Sequence, residues 1–226
     1  MDIRKILFAL FFIALFITQS AGAVVLFEED FSDNSAGWTL GTDWEIGPAV
    51  LGPTGGGGTS GSHDPEFDHT PTADNGLAGV IIGGNTSNTL HPFYYLTSPV
   101  INTAGAGDLT LEFYRWLASD YTPYIQNAIE VFDGTVWNTI WLSGPSPAIV
   151  DTSWLLQTFD ISSYANASMQ VRFGYNVASS GNWSVPSWSL DDISIFSAES
   201  TVPVPAPLAL LGLGILGLAW NQRRKA

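Results

Sequence analysis

The chain has no cysteine, so disulfide bonds hold no part of it together. Bases are also scarce, with seven Lys and Arg against 21 Asp and Glu and a formal net charge of −14. Between residues 24 and 198 the only bases are Arg115 and Arg172. A surface this acidic repels phosphate backbones, which argues against nucleic acid as a partner, whereas it suits a divalent cation.

Helical periodicity is missing from the middle of the chain. Short alternating segments lie there instead, separated by Gly, Pro and Asn. The strands predicted from this pattern are residues 27–31, 39–46, 78–82, 94–101, 109–114, 128–132, 135–142, 154–161, 169–173 and 188–196. We therefore predict one all-β domain over residues 24–198, an antiparallel two-sheet β-sandwich of jelly-roll type.

The last predicted strand, residues 188–196, carries two adjacent carboxylates, Asp191 and Asp192. Successive residues of a strand point to opposite faces, so one of the two is expected near packed residues. A carboxylate there needs hydrogen-bond donors or a cation, because burying an uncompensated charge is costly.

Residues 1–23 have the features of a signal peptide: a basic start, an apolar run and a small-residue cleavage site at 21–23. The apolar run, residues 6–17, forms the predicted signal helix. It is shorter than the roughly 20 residues that a membrane-spanning helix needs. An uncleaved N-terminal anchor is the alternative.

Residues 199–226 contain a proline-rich stretch, a short apolar helix interrupted by glycine and a basic end that should stay in the cytoplasm. This order of parts resembles the PEP-CTERM sorting signal of exosortase substrates in Gram-negative bacteria that produce exopolysaccharide. The resemblance implies cleavage by an exosortase-type enzyme and delivery to the cell surface or its matrix. Its sorting residues would be Val202, Pro203, Pro205, Arg223, Arg224 and Lys225.

One residue departs from that motif, because Val204 stands where the motif usually has Glu between prolines. A permanent single-span membrane anchor with the same orientation is therefore the alternative to cleavage.

Several segments of the middle domain, taken in order, resemble a MAM domain, a jelly-roll-type sandwich of extracellular adhesion proteins. They are Asp30-Phe31, Gly37-Trp38, Asp68-His69-Thr70, residues 96–100, residues 111–114, Trp154, residues 171–173 and residues 190–195. The layout also resembles bacterial cleaved-adhesin jelly rolls. MAM domains usually carry paired cysteines, which this chain lacks.

Related jelly rolls often bind a structural calcium between the first strand, the Asp-His-Thr loop and the last strand. This resemblance implies Asp30, Asp68, Asp191 and Asp192 as ligands, with Asp33, Asp64 and Asp74 as weaker candidates. Calcium takes six to eight oxygen ligands, and a domain with so few bases cannot neutralise clustered carboxylates by itself. Alternatively, these acids cap turns by accepting hydrogen bonds from nearby backbone amides.

Enzyme motifs are weak throughout. His63, His69 and His91 lack the helical spacing of a zinc enzyme, and the glycine run 55–58 lacks the Lys of a phosphate-binding loop. No Cys nucleophile or Gly-x-Ser-x-Gly turn is present. No pair of acids is marked as a glycosidase pair, although two could face each other. We expect no catalysis.

The tryptophans suggest two roles. Trp44, Trp116, Trp137, Trp141 and Trp154 lie in strand-like contexts and are expected to pack. Trp183 and Trp188 lie in Gly-, Ser- and Pro-containing sequence, where they could stack on a sugar ring or a protein partner, or cover the edge of the sandwich. Arg115 and Arg172 are each expected to pair with an acid on a neighbouring strand.

Together these features predict a secreted, non-enzymatic, MAM-like domain at the bacterial surface or in its matrix. Its role would be adhesion or matrix structure, with exopolysaccharide or surface proteins as partners. A carbohydrate-binding module using Trp183 and Trp188 is the second hypothesis. A glycan-active enzyme with two facing carboxylates is the third.

Overall fold

The computed structural model describes residues 23–186 and 188–198. Its contacts define a compact unit that spans Ala23–Glu199. Apart from Ala23, the predicted signal peptide lies outside the described residues, as do the C-terminal hydrophobic helix and the sorting residues. Within the described ranges, no helix is long and apolar enough to cross a membrane.

The described residues form strands joined by loops and two short 3-10 turns, Gly57–Thr59 and Ser162–Tyr164. The strands are β1 (Ala23–Glu29), β2 (Thr39–Leu40), β3 (Trp44–Pro48), β4 (Gly76–Val80), β5 (His91–Thr97), β6 (Leu109–Ser119), β7 (Ile125–Phe132), β8 (Trp137–Leu142), β9 (Ile149–Val150), β10 (Leu155–Asp160), β11 (Gln170–Val177) and β12 (Trp188–Ala198).

Two antiparallel sheets make up the domain. The first has seven strands in the order β10-β6-β12-β4-β3, with β1 also paired to β12 and β9 also paired to β6. The second has five strands in the order β2-β5-β11-β7-β8. The predicted two-sheet antiparallel β-sandwich is confirmed.

The core lies between the sheets because the strands alternate apolar and polar residues. Phe113 on β6 and Phe173 on β11 are fully buried, and their rings meet edge to face at 5.0 Å between centroids. Trp188 at the start of β12 packs 5.9 Å from Phe173. Each such side chain contributes about 1.5–3 kcal/mol through burial. These cross-sheet contacts hold the sandwich without disulfides.

The sequence prediction of one strand over residues 39–46 was wrong, because the chain changes sheets there. β2 pairs with β5 in the five-stranded sheet, whereas β3 pairs with β4 in the other. Gly41 makes the crossing possible: a Cβ at this position would lie 2.5 Å from the backbone oxygen of Tyr95. Asp43 then takes a positive φ of 67°. Strand β9, with two residues, was not predicted.

Strand β12 is central in the seven-stranded sheet and contains a bulge. Its register with β6 shifts between Asp191 and Ser194, and Asp192 has a positive φ of 48°. Trp188 and Leu190 face the core before the bulge, and Ile193 and Ile195 face it afterwards. The pleat therefore changes parity at the two aspartates, so the simple alternation predicted across them does not hold.

Candidate functional site

The loop that contains Asp68, His69 and Thr70 is bound to the β12 bulge by hydrogen bonds. The backbone N–H of His69 donates to Asp191 Oδ2 at 2.8 Å. His69 Nδ1 lies 2.6 Å from Asp192 Oδ2, and the Thr70 hydroxyl donates to the same oxygen. The His69 ring also stacks on Tyr114 of β6, with centroids 3.2 Å apart. Hydrogen bonds from His69 and Thr70 thus attach the loop that contains Asp68 to Asp191 and Asp192.

Asp191 is the most buried of these acids, with 1% of its surface exposed. The pKa of its carboxyl is raised to about 7, mainly by burial and also by the neighbouring carboxylates of Asp192 and Asp68. The hydrogen bonds from the backbone N–H groups of His69 and Asp192 act in the opposite direction. Burial outweighs them, so the charged form of Asp191 lacks full compensation.

Asp68 is also buried, and it orders its own loop. Its Oδ2 accepts a hydrogen bond from the Thr72 hydroxyl at 2.5 Å, and its backbone N–H donates to Asn75 Oδ1 at 2.9 Å. Asn75 takes a positive φ of 56° and bonds through Nδ2 to the backbone oxygen of Ala49. Asp68 therefore combines turn chemistry with proximity to the buried Asp191.

Asp30 lies elsewhere in this region and is exposed, with Oδ1 accepting a hydrogen bond from the backbone N–H of Ser32 at 3.0 Å. The buried acid at the end of β1 is Glu29, which the sequence analysis missed. Its Oε1 accepts from the Phe31 N–H at 2.9 Å, and its Oε2 accepts from Trp38 Nε1 at 2.8 Å. Burial raises the pKa of Glu29 above its usual value.

An open acidic groove of about 670 Å³ lies between the end of β1 and the β12 bulge. Tyr114 and Leu156 line it together with five acids: Glu28, Glu29, Asp30, Glu112 and Asp192. Asp30 and Asp192 therefore face the same open space, although Asp191 does not line it.

Two of the three weaker candidates, Asp33 and Asp64, serve turns and loop contacts. Asp33 Oδ1 accepts a hydrogen bond from the backbone N–H of Ser35 at 2.6 Å, and hydrogen bonds from Ser35 hold the pKa of Asp33 below its usual value. Asp64 is buried and accepts from the Gly83 N–H at 3.0 Å. Asp74 is exposed.

Within residues 23–186 and 188–198, no three His, Asp or Glu side chains form a group placed to hold a metal ion. Besides His69, the histidines make local contacts: His63 Nδ1 lies 2.7 Å from the backbone oxygen of Asp64, and His91 Nδ1 lies 2.7 Å from that of Pro92. The carboxylates at the bulge have the oxygen chemistry that calcium prefers, but the Asp68 and Asp192 carboxylates are engaged by threonine hydroxyls.

The structure corrects the proposed aromatic platform at Trp183 and Trp188. Trp188 is 1% exposed and packs against Trp44, Trp141 and Phe173, so it offers no face to a ligand. It belongs to β12, where its position two residues before Leu190 points it into the core.

Trp183 is half-buried and lies against the glycine run. A Cβ on Gly57 or Gly58 would come within 2.3 Å or 2.2 Å of its indole. Its backbone N–H donates to the buried Asp120 at 3.1 Å, and Tyr121 meets its ring edge to face. The glycines therefore provide a flat surface on which this indole packs.

A second groove, of about 480 Å³, lies between the 63–68 loop and the outer face of β6. We name it the Trp154 groove; it is lined by Leu51, His63, Pro65, Glu66, Phe67, Asp68, Trp116 and Trp154. Phe67 is 65% exposed and Leu51 is 53% exposed. Trp116 and Trp154 meet edge to face at 5.9 Å. Sequence analysis assigned both tryptophans to packing and did not identify this groove.

Both arginines make the predicted ion pairs. Arg115 bonds to both carboxylate oxygens of Asp151, which follows β9, with Nε to Oδ2 at 2.9 Å. On the outer face of the five-stranded sheet, Arg172 Nε lies 2.6 Å from Glu130 Oε2 on the paired strand β7. The Arg172 guanidinium carbon lies 3.8 Å from the ring centroid of Tyr95 and 4.0 Å from that of Trp137. We call this group the Arg172 stack.

Among solved structures, the chain is similar to two cleaved adhesin domains of Lys-gingipain, one of them from Porphyromonas gingivalis w83. Their identities are 17% and 16% and their TM-scores 0.44 and 0.41, and each comparison covers 76% of this chain and 98% of the other. It is also similar to the CBM22-1 xylan-binding domain of Xyn10C from Paenibacillus barcinonensis, at 12% identity and TM-score 0.44, over 81% of this chain and 100% of that one. No curated protein matches the chain.

The C-terminal end has a more specific match. Residues 201–225 match the model of the PEP-CTERM protein-sorting motif, which includes every sorting residue named from the sequence. The motif implies processing by an exosortase and sorting to the cell surface or beyond it. The chain therefore carries a PEP-CTERM sorting signal after an antiparallel β-sandwich.

Proposed function

We propose that this protein is displayed at the bacterial surface or in its matrix as a non-catalytic binding domain with a MAM-like, adhesive role. The observation that carries the proposal is the PEP-CTERM match at residues 201–225, directly after the compact unit Ala23–Glu199.

Display is tested by expressing the full chain in a Gram-negative host with and without an exosortase. With the enzyme, we expect surface-accessible protein that has lost its tail, detected by labelling intact cells and by mass spectrometry. Without it, or with residues 201–226 deleted, the protein should not reach that state. Identical localisation and mass in all samples would contradict the proposal.

We further propose that calcium stabilises the domain at the β12 bulge, with Asp68, Asp191 and Asp192 as ligands and Asp30 at the margin. Support comes from the buried Asp191, whose pKa is raised to about 7 by burial and by the carboxylates beside it. Neither Arg115 nor Arg172 pairs with these acids. Binding would require the Asp68 and Asp192 carboxylates to exchange their threonine hydroxyls for the ion.

Calcium binding is tested by isothermal titration of the full chain with Ca²⁺ and with Mg²⁺. We expect Ca²⁺ binding in the wild type and its loss in Asp191→Asn and Asp68→Asn. Asp33→Asn is the matched control, because Asp33 is exposed and only caps a turn. Equal titrations for all variants would contradict these ligands.

A glycan-active enzyme is the alternative that the acidic groove favours, since Glu29 has the raised pKa that a general acid needs. Against it, both Glu29 oxygens already accept hydrogen bonds from Phe31 and Trp38. Release of reducing sugar that disappears in Glu29→Gln would establish the enzyme and overturn the non-catalytic role.

A further inference from the structure

We propose that the Trp154 groove binds a neutral polysaccharide, with pyranose rings stacked on Phe67 and Trp154. The inference rests on the proposed function, because it names the ligand class of the displayed domain. It also moves the site away from Trp183 and Trp188, which the sequence had suggested.

The first support is the exposure of apolar rings at one place. Phe67 has 65% of its surface exposed on a loop, beside the half-buried Trp154 and near the exposed Leu51. Single exposed apolar residues are ordinary, but a cluster that lines a groove marks a binding surface. The volume of about 480 Å³ lies in the range of small-ligand pockets.

The second support is that the two tryptophan rings are held in place before any ligand arrives. Trp116 Nε1 donates to the backbone oxygen of His63 at 2.7 Å, and Trp154 Nε1 donates to that of Phe67 at 3.1 Å. The His69 and Trp154 rings meet edge to face with centroids 6.3 Å apart, and the His69 backbone N–H is hydrogen-bonded to Asp191. A rigid aromatic surface loses little conformational entropy on binding, which favours affinity for a flat sugar face.

The third support is the polarity of the rim. Glu66 is exposed at the groove, and Asp68 and the His63 ring also line it. A carboxylate accepts hydrogen bonds from hydroxyls, and an imidazole accepts or donates them. The groove therefore combines apolar ring faces with hydrogen-bond partners for the hydroxyl groups of a sugar. A purely apolar occupant would leave these groups desolvated without partners.

Charge selects the class of polysaccharide. Glu66 and Asp68 line the groove, whereas Arg115 and Arg172 do not, and the chain has a net charge of −14. Anionic polymers such as uronic-acid chains would be repelled at this surface. The expected occupant is therefore uncharged. A specific protein partner would need roughly 800 Å² of matched surface on each side, which a groove of this size does not provide by itself.

The test uses the full chain, purified in mild detergent, with a panel of oligosaccharides as probes. We would titrate neutral hexasaccharides of glucose, xylose and mannose, with polygalacturonate as the anionic comparison, and follow heat and tryptophan fluorescence. We expect binding of at least one neutral probe and none of polygalacturonate. Binding of polygalacturonate alone, or of no probe, would overturn the proposal.

Three variants locate the site. Phe67→Ala should weaken binding about tenfold without changing the melting temperature, because the side chain is mostly exposed and a contact of about 1.4 kcal/mol corresponds to that factor. Trp154→Ala should weaken it further. Leu142 is an exposed apolar residue on β8 of the other sheet, so the control variant Leu142→Ala should bind as the wild type does.

Two results would change the assignment, one of the site and the other of the occupant. Binding lost in Trp183→Ala but kept in Phe67→Ala would assign the sugar site to Trp183. A dimer of the full chain that Phe67→Ala dissociates would show that a second copy fills the groove. Surface display of Phe67→Ala should equal that of the wild type, so a failure of sorting and a failure of glycan binding are separate results.

Discussion

The outer faces of the two sheets use the same kinds of side chain to different ends. On the five-stranded sheet, the guanidinium of Arg172 lies between Tyr95 and Trp137 and pairs with Glu130, so rings and charges satisfy one another. On the seven-stranded sheet, Trp154, Phe67 and the acids of the bulge have the imidazoles of His63 and His69 nearby, but neither Arg115 nor Arg172 pairs with them. The comparison teaches that a sheet face with its own cation satisfies its carboxylates internally, whereas a face without one leaves them available to an ion or ligand. We call the outer face of the five-stranded sheet the closed face and the outer face of the seven-stranded sheet the open face.

The largest expected effect comes from breaking the Arg172 stack on the closed face. Arg172→Met should lower the free energy of unfolding by about 3 kcal/mol, because it leaves the largely buried Glu130 carboxylate without its partner and separates two rings. Denaturant unfolding at neutral pH measures the change.

A double mutant sharpens this result. Combining Arg172→Met with Glu130→Gln also removes the unpaired carboxylate charge. The double variant should therefore lose less free energy of unfolding than the sum of the losses of the two single variants. Simple additivity would show that the Arg172 stack is not an energetically coupled group.

The next effect concerns pH on the open face, in the presence of a chelator. The folded-state pKa of Asp191 is about 7 against an ordinary value of 3.8, so the folded protein binds more protons between these values. Stability should therefore rise as pH falls from 8 to 5, by on the order of 2 kcal/mol. Glu29, whose pKa is also raised by burial, acts in the same direction near the lower end.

Asp191→Asn provides the control for the pH series, because it removes the carboxyl whose raised pKa of about 7 lies in this pH range. Its stability should change much less over the same range. Hydrogen bonds lower the pKa values of three other carboxyls, those of Asp33, Asp133 and Asp160. Their contribution to the stability of the protein is therefore lost only at more acidic pH and does not affect the range from pH 8 to 5. A wild-type protein that loses stability from pH 8 to 5 would contradict the burial of Asp191.

The smallest effect is expected at the exposed rim of the open face. Phe67→Ala should change the free energy of unfolding by less than about 0.5 kcal/mol, since substitutions at exposed positions rarely do more. Thermal unfolding measures it. A loss of several kcal/mol would mean that Phe67 packs as a core residue and that the groove is not an open surface.

Much of the fold follows from sequence because alternation reports which residues face the core. The strands around Phe113 and Phe173 were predicted in this way, and the ion pairs of both arginines were predicted because bases are so scarce in the domain. Strand β9 has two residues, too few for a period to appear. The change of sheet at Gly41 depends on a backbone contact with Tyr95, which no local pattern encodes.

The site was predicted only in part, for similar reasons. Trp188 has Pro and Ser neighbours typical of a loop, yet its spacing from Leu190 sets it in the core. The parity change across Asp191 and Asp192 was readable as a bulge signal, because apolar residues occupy 190 and then 193. The burial of Glu29 depends on its hydrogen bond from Trp38, and the packing of Trp183 depends on Gly57 and Gly58 of a distant loop. Both contacts form only when folding brings these residues together.

The most direct test of the open-face account is a thermal melt of residues 23–198, the described part of the compact unit, in calcium and in chelator, beside Asp191→Asn. The account predicts a calcium-dependent gain in the wild type, about 2.7 kcal/mol at 100 times the dissociation constant, and none in the variant. Identical wild-type melts in both buffers would contradict it and leave the acids of the bulge as turn-forming residues.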